Sequence, residues 1–249
     1  MKAILLNLSA WIMLPIMDGF AKYLTTSLPV LQIVWARYFF TVIIVLPLIL
    51  IFFRKKINYS INIKLQILRG VLLLTANILF FYSISVIYLS KALTLAFIAP
   101  LIVTAFSPFY LKEKVGLNRW LAVIIGFSGC LIVIRPGFIE FNLATIAALG
   151  TGLLYGFYLI ITRKISRTDN SYITLLLTGV VGAILSSSAM PFIWVAPSSN
   201  EWFFMFLIGL FASVGHLLLI LSLKLADASK LAPFGYFEII PNIIIGFYF

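Results

Sequence analysis

Three charged residues, Asp18, Lys22 and Arg37, lie within or beside two strongly apolar runs near the start of the sequence. The stretch PIMDGFAKYLTTSLPVLQIVWARYF, residues 15–39, contains all three. A charge at the centre of a membrane helix costs about 2.5–3.5 kcal/mol on translocon scales, so such residues are usually paired, face a cavity or serve a function. These three residues are therefore the first candidates for an ion pair, a gate or a binding site.

Asp18 and Arg37 are predicted to lie at the same depth in the membrane. At about 1.5 Å per helical residue, both sit roughly 9–11 Å below the outer ends of their helices. One interpretation is an ion pair that joins the two helices. The other is a gate or a substrate contact at the outer mouth of a cavity. Lys22, one helical turn after Asp18, either extends to the interface or competes for the carboxylate.

A second candidate group lies in the stretch DASKLAPFGYFEIIP near the end of the sequence. Glu238 is predicted near the membrane midplane, beside Tyr236. Pro233 and Pro241 leave helical carbonyls without donors, which membrane proteins tolerate where a cavity or a neighbouring helix supplies partners. An acidic group beside a broken helix and aromatic rings favours a cationic substrate or a proton. A hydrogen bond between helices is the structural alternative.

Further candidates are polar or aromatic residues inside apolar runs. His216, the single histidine, either relays protons or forms a packing hydrogen bond. Asn77 and Asn242 are candidate cavity amides, and aromatic faces such as Trp35 suit a cationic or planar solute. The predicted substrate-binding or gating residues are Asp18, Arg37, Glu238, Tyr236, Asn77, His216 and Trp35. No catalytic, cofactor-binding or metal-ligating residue is predicted.

These residues must be positioned by membrane helices. The chain is 63% hydrophobic and 10% charged, with a mean hydropathy of +1.16, whereas a soluble domain carries about 25% charged residues. Apolar runs of about 20 residues, enough to cross a ~30 Å hydrocarbon core, recur along the whole length. Nine spans are predicted, at 3–24, 30–53, 67–88, 92–111, 118–134, 143–162, 171–194, 202–223 and 229–249.

The distribution of charge predicts the orientation of these spans. The net charge of +11 does not indicate nucleic acid, because the basic residues lie in short connections rather than along one face. Most of them, including Arg69 and Arg163, fall on one side of the membrane, which predicts a cytoplasmic N-terminus. Cys130 lies in an apolar run and is predicted to be a buried packing residue.

The sequence also repeats itself approximately. The stretches KALTLAFIAPLIVTAFSPFYLKEK and KLADASKLAPFGYFEIIPNIIIGFYF each reach an Ala-Pro pair and hold a second proline eight residues later. This places the fourth span against the ninth, where the chain runs in the opposite direction. The halves, 1–138 and 139–249, are therefore predicted to be inverted repeats with a substrate site between them.

The segments WARYFF, ILRG, FIAPLIVTAFSPFYLKEK and DASKLAPFGYFE, in this order, resemble the EamA family of the drug/metabolite transporter superfamily. Within it, DGFAKYL and DASKLAPFGYFE are most similar to S-adenosylmethionine uptake carriers. The resemblance implies an all-α membrane bundle of two inverted five-helix repeats, with coupling to protons or a counter-substrate. Family members have a tenth helix and, after the ninth, an acidic residue that echoes Glu113. The sequence stops before both, so truncation to nine helices is expected.

The leading functional prediction is a multi-pass secondary transporter of a bacterial inner membrane. It would move a small polar or cationic metabolite, with an S-adenosylmethionine-like solute as one candidate, by alternating access and without a cofactor. A lipid-acting enzyme is not expected, because one His, one Cys and seven acidic residues show no nucleophile motif or metal-ligand spacing. The alternative is a non-transporting membrane fragment or a partner subunit of a transporter. A homodimer is compatible with the sequence.

Overall fold

The computed structural model describes residues 1–52, 62–134 and 142–248, and all regular structure in this part is helical. The helices in chain order are α1 (Lys2–Leu24), α2 (Val30–Phe52), α3 (Ile63–Val86), α4 (Leu89–Ala96), α5 (Ile98–Leu111), α6 (Leu117–Ile134), α7 (Leu143–Ser166), α8 (Ser171–Ser187), α9 (Met190–Ile193), α10 (Ser199–Leu225), α11 (Ala228–Leu231) and α12 (Ile239–Tyr248), with a 3-10 segment at Ala232–Glu238. Six spans of the described residues, with α4 and α5 taken together, are long and apolar enough to cross a membrane. The predicted all-α membrane protein is confirmed.

Three predicted spans are not continuous helices. The fourth is interrupted at Phe97, and the seventh ends at Ser187 and is followed by the short α9. The ninth consists of α11, the 3-10 segment and α12. Pro233 stands at the start of the 3-10 segment, where its missing N–H and fixed φ are tolerated. The predicted break in this region is therefore present, and it places Glu238 at the junction between two helical segments.

Polar caps determine where two of the long helices begin. At the start of α7, Asn142 Oδ1 accepts hydrogen bonds from the N–H groups of Ala144 and Thr145, at 3.0 and 3.1 Å. At the start of α10, Glu201 Oε2 accepts from the N–H of Ser198 at 2.7 Å. Reciprocal capping of this kind satisfies N–H groups that have no partner within the helix. Each cap fixes the residue at which its helix begins.

Helices from the two predicted halves pack against each other. The most extensive contacts are those of α1 with α10, α3 with α7, and α2 with α8. Small residues permit these close approaches, since a Cβ atom at Gly156 on α7 would lie 2.7 Å from Ile102 on α5. The largest buried apolar cluster includes Trp11, Phe81 and Met205, which belong to different halves. The core, and any cavity within it, is therefore shared by both halves.

Candidate functional site

A cavity of about 100 Å³ lies among α1, α3, α4, α5, α7, α10, α11 and the 3-10 segment. Apolar side chains form most of its wall, and a few polar groups face it, as is typical of small-molecule sites. Two of these groups are acidic, Asp18 and Glu238, with only 4% and 8% of their surface exposed. The polar and aromatic lining residues are Asn7, Trp11, Asp18, Asn77, Phe80, Phe97, Thr151, Tyr155, His216 and Glu238.

One face of α1 supplies Asn7, Trp11 and Asp18 to the cavity, because helical residues three, four, seven and eleven positions apart share a face. Trp11 Nε1 donates to Asn7 Oδ1 at 2.7 Å, and Asn7 Nδ2 donates to Ser222 Oγ on α10 at 3.3 Å. The first bond lies within α1, and the second ties α1 to α10 beside the cavity. The sequence analysis missed Asn7 and Trp11, although their spacing from Asp18 was the available signal.

The carboxylate of Asp18 has an unused acceptor. Its Oδ1 atom is buried and has no hydrogen-bond partner among the described residues. Glu238, at the end of the 3-10 segment, also forms no ion pair within 4.0 Å in the described part of the chain. Two buried carboxylates at one cavity without basic partners are costly unless a donor or a cation approaches them.

The predicted direct contact between Asp18 and Arg37 is wrong. No ion pair joins them within 4.0 Å; instead Arg37 Nη2 lies 2.6 Å from His216 Nε2. Arg37 Nε also donates to Met17 Sδ at 3.4 Å, and the guanidinium lies over the ring of Tyr38. The predicted equal depth does not determine the direction in which a side chain points from its helix, and here Arg37 is directed to α10.

His216 lines the cavity and has a defined tautomer. Because arginine can only donate, the His216 Nε2 atom that faces Arg37 must accept. The ring proton therefore sits on Nδ1, which lies 2.9 Å from the Tyr158 hydroxyl and donates to it. This geometry is compatible with both predicted roles of His216, a proton relay and a packing hydrogen bond. In this structure both ring nitrogens have a hydrogen-bond partner.

Asn77 lies at the cavity wall, as a cavity amide should. Its Nδ2 donates to Tyr38 Oη at 2.8 Å and to the Leu73 carbonyl at 2.6 Å. Its amide therefore links α3 to α2 beside the cavity. Asn242, the other predicted cavity amide, does not line the cavity and is fully buried, with no hydrogen-bond partner for either side-chain polar atom among the described residues.

Tyr236 and Trp35 do not line the cavity. Tyr236 packs edge-on against Phe97, with ring centroids 5.4 Å apart. Trp35 Nε1 donates to Ser187 Oγ at 3.0 Å, and its ring stacks on that of Phe39. Trp35 thus belongs to an aromatic cluster near the predicted outer end of α2. Its contact with Ser187 places it at the start of the connection between α8 and α10.

Lys22 contacts the end of α3 rather than Asp18. Its Nζ atom donates to the Ile84 carbonyl, and lies 3.4 Å from the Ile87 carbonyl. Carbonyls at a helix C-terminus have no partners within the helix and attract a cation. Lys22 is therefore a cap that ties α1 to α3, and neither of its predicted roles describes it fully.

Two arginines that were assigned to the cytoplasmic basic surface are buried. Arg69 is 0% exposed and Arg163 is 7% exposed. Arg163 pairs with Glu113 at 3.2 Å and with Asp227 at 3.0 Å. Glu113 in turn accepts from the N–H groups of Ala228 and Ser229, each at 3.1 Å. This cluster, termed the Glu113 clamp, joins the α5–α6 connection to α7 and to the start of α11.

The described residues bring no group of three or more His, Cys, Asp or Glu side chains into a metal-binding arrangement. Cys130 is buried, as predicted. Carboxylates, amides and aromatic rings are among the groups that line the cavity.

Comparison with known proteins identifies the family. Residues 1–135 and 142–249 match the EamA-like transporter family. The chain is 26% identical to the S-adenosylmethionine uptake transporter of Rickettsia bellii, over 93% of this chain and 79% of that protein. It is 24% identical to the riboflavin transporter of Vibrio cholerae, over 96% of this chain and 82% of that protein. A solved crystal structure with 16% identity shares the fold at a TM-score of 0.80, over 97% of this chain and 86% of the other. The chain belongs to the EamA-like transporter family.

Proposed function

We propose that this protein is a secondary transporter that moves a small cationic metabolite across a bacterial inner membrane by alternating access. The observation that carries the proposal is the pair of buried carboxylates, Asp18 and Glu238, at one cavity between helices of both halves. Neither has a basic partner within 4.0 Å among the described residues. A cationic solute supplies the missing charge.

The aromatic part of the wall supports a solute with a planar or cationic group. Trp11 and Tyr155 meet edge to face, with centroids 6.4 Å apart, and both line the cavity. Ring faces attract cations and stack on flat groups. A solute of the S-adenosylmethionine type, which combines a positive charge with a planar base, satisfies both features. Riboflavin is planar but uncharged, so the two carboxylates favour a solute of the S-adenosylmethionine type over riboflavin.

Alternating access requires the two ends of the cavity to open in turn. At the predicted cytoplasmic end, the Glu113 clamp connects elements of both halves. At the predicted outer end, Gln32 Nε2 donates to the Val195 carbonyl at 2.7 Å, and the Val195 N–H donates back to Gln32 Oε1 at 3.0 Å. We propose that inverted repeats at 1–138 and 139–249 rock about the cavity and break one set of contacts at a time, driven by protons or a counter-substrate.

The proposal is tested by uptake into proteoliposomes that contain the purified protein. Radiolabelled S-adenosylmethionine should accumulate, and unlabelled S-adenosylmethionine should compete better than riboflavin. Asp18→Asn and Glu238→Gln should each lower uptake at least about tenfold, because each removes a charge-assisted contact of about 1.5–3 kcal/mol. Glu201→Gln is the matched control, because this carboxylate caps α10 outside the cavity.

Unchanged uptake by a folded Asp18→Asn/Glu238→Gln double variant would show that the cavity is not the substrate site. Uptake of riboflavin in preference to S-adenosylmethionine would overturn the cationic substrate class while leaving the transporter proposal standing. Failure of the folded wild-type protein to take up either solute would favour the alternative of a partner subunit.

A further inference from the structure

The connection that follows α5, residues 112–116 and termed the basic turn, carries an exposed lysine on each side of Glu113. Lys112 and Lys114 are exposed, whereas Glu113 is only 6% exposed and is the centre of the Glu113 clamp. The carboxylate therefore points into the bundle, and the two lysines lie on its surface. No carboxylate lies within 4.0 Å of either lysine in the described part of the chain, so both charges can meet a partner from outside the bundle.

The backbone of Lys112 turns the chain at this point. Its φ of 56° and ψ of 31° lie in the left-handed region, and it is the one non-glycine residue with a positive φ among those that the structure describes. Helix ends with this conformation usually have glycine or asparagine there. The turn itself does not require a lysine, so the long basic side chain calls for a separate reason.

A third exposed cation lies at the same carboxylate. Arg167 Nη2 is 3.6 Å from Glu113 Oε1, and 44% of the Arg167 side chain is exposed. Glu113 is already paired with the buried Arg163, and Asp227 is shared between Arg163 and Arg119. With the two lysines, the clamp and its contacts contain five basic side chains and two acidic ones. This region therefore carries an excess of positive charge.

Exposed apolar side chains border the basic turn on both sides. Phe109 and Tyr110, in the last turn of α5, are 79% and 57% exposed, and Leu117, at the start of α6, is 72% exposed. The apolar span formed by α4 and α5 ends at Leu111, so the aromatic pair lies at the boundary of the hydrocarbon and the basic turn lies just beyond it. Basic segments directly beside a membrane helix attract anionic lipids.

We propose that the basic turn, together with Arg167, binds the headgroup of one anionic phospholipid. The two lysines and the arginine hold the phosphate, and the exposed apolar side chains of α5 and α6 contact the acyl chains. A soluble phosphate would use the cations alone, so the apolar border favours a lipid. The bound headgroup joins the connection after α5 to the end of α7, which the Glu113 clamp also joins, and it therefore stabilises the closed clamp. This inference does not depend on the identity of the transported solute.

Thermal unfolding of the detergent-purified protein tests the site with phosphatidylglycerol, which is anionic, and phosphatidylcholine, which is zwitterionic. The unfolding midpoint should rise saturably with phosphatidylglycerol, by about 5–10 °C when this lipid is near 100 times its Kd, and much less with phosphatidylcholine. Lys112→Gln/Lys114→Gln should raise the Kd for phosphatidylglycerol about 30-fold, because two cations of the site are lost. Lys2→Gln/Lys64→Gln is the charge-matched control, since both lysines are exposed and neither adjoins Glu113, and it should change this Kd much less.

A second set of measurements distinguishes a bound lipid from a bound phosphate. Native mass spectrometry should show one phosphatidylglycerol retained by the wild-type protein and lost from Lys112→Gln/Lys114→Gln. Phe109→Ala should weaken the binding of phosphatidylglycerol. Inorganic phosphate and glycerol phosphate, which lack acyl chains, should not raise the midpoint at the concentration of the lipid. Equal stabilisation by inorganic phosphate, equal stabilisation by the two lipids, or an equal loss in the charge-matched control would overturn the proposal.

Discussion

The carboxylate of Glu113 is the centre of the clamp at the predicted cytoplasmic end, and its replacement by Gln should destabilise the protein strongly. The side chain is 2% exposed. Its oxygens accept from the N–H groups of Ala228 and Ser229, from the Ser229 hydroxyl at 2.7 Å, and from Arg163 Nε at 3.2 Å. Every one of these partners is a donor.

The magnitude follows from what a glutamine amide can replace. Its single oxygen can serve one side of this cluster, for example the N–H and hydroxyl of Ser229, whereas its NH₂ group would face the donors of Ala228 and Arg163. Two bonds to a charged group are then lost, at about 1.5–3 kcal/mol each. Removing one partner of a buried ion pair costs about 3–5 kcal/mol. We therefore expect Glu113→Gln to lower the free energy of unfolding by about 3 kcal/mol.

Thermal unfolding in detergent, followed by tryptophan fluorescence, measures this loss. For a chain of this length the midpoint should fall by about 6–12 °C. Glu201→Gln is the matched control, since Glu201 also accepts hydrogen bonds at a helix N-terminus but at the surface, where the loss should stay below about 1 kcal/mol. Equal shifts in the two variants would refute the argument that burial and the Arg163 pair make the Glu113 carboxylate stabilising.

Other replacements have equally definite expected outcomes. Gly156→Ala should lower the unfolding midpoint, because the new Cβ would lie 2.7 Å from Ile102. A Cβ at Gly129 meets nothing within 4 Å, so Gly129→Ala should raise the free energy of unfolding by about 0.5–1 kcal/mol. Thermal unfolding measures both changes. Lys22→Met should lower the free energy of unfolding by about 1 kcal/mol, because it removes the cation at the C-terminal end of α3. Lys22→Arg should retain most of this stability in the same assay. Cys130, the single cysteine, is buried, and mass spectrometry should show that maleimide labels it far faster after unfolding than in the native state.

The helical class of the chain could be predicted from the sequence. Hydrocarbon accepts long apolar runs only as structures that satisfy their own backbone hydrogen bonds, so run length predicts helices directly. The two prolines around Glu238 indicated a broken helix for the same reason, because proline cannot donate. The spacing of Asn7, Trp11 and Asp18 on one face of α1 was also readable, although only Asp18 was recognised.

The partners of these residues were decided by the tertiary structure. Asp18 and Arg37 are predicted to share a depth, but depth does not determine rotation about a helix axis. His216, far along the chain on α10, contacts the guanidinium of Arg37 instead. Arg69 and Arg163 lie near helix ends, where a sequence reads as a basic surface. They are buried because α7, α8 and α10 pack over them. A sequence therefore determines which residues enter the membrane, whereas packing determines which of them meet, because contact depends on the relative rotation and position of helices that are distant in the chain.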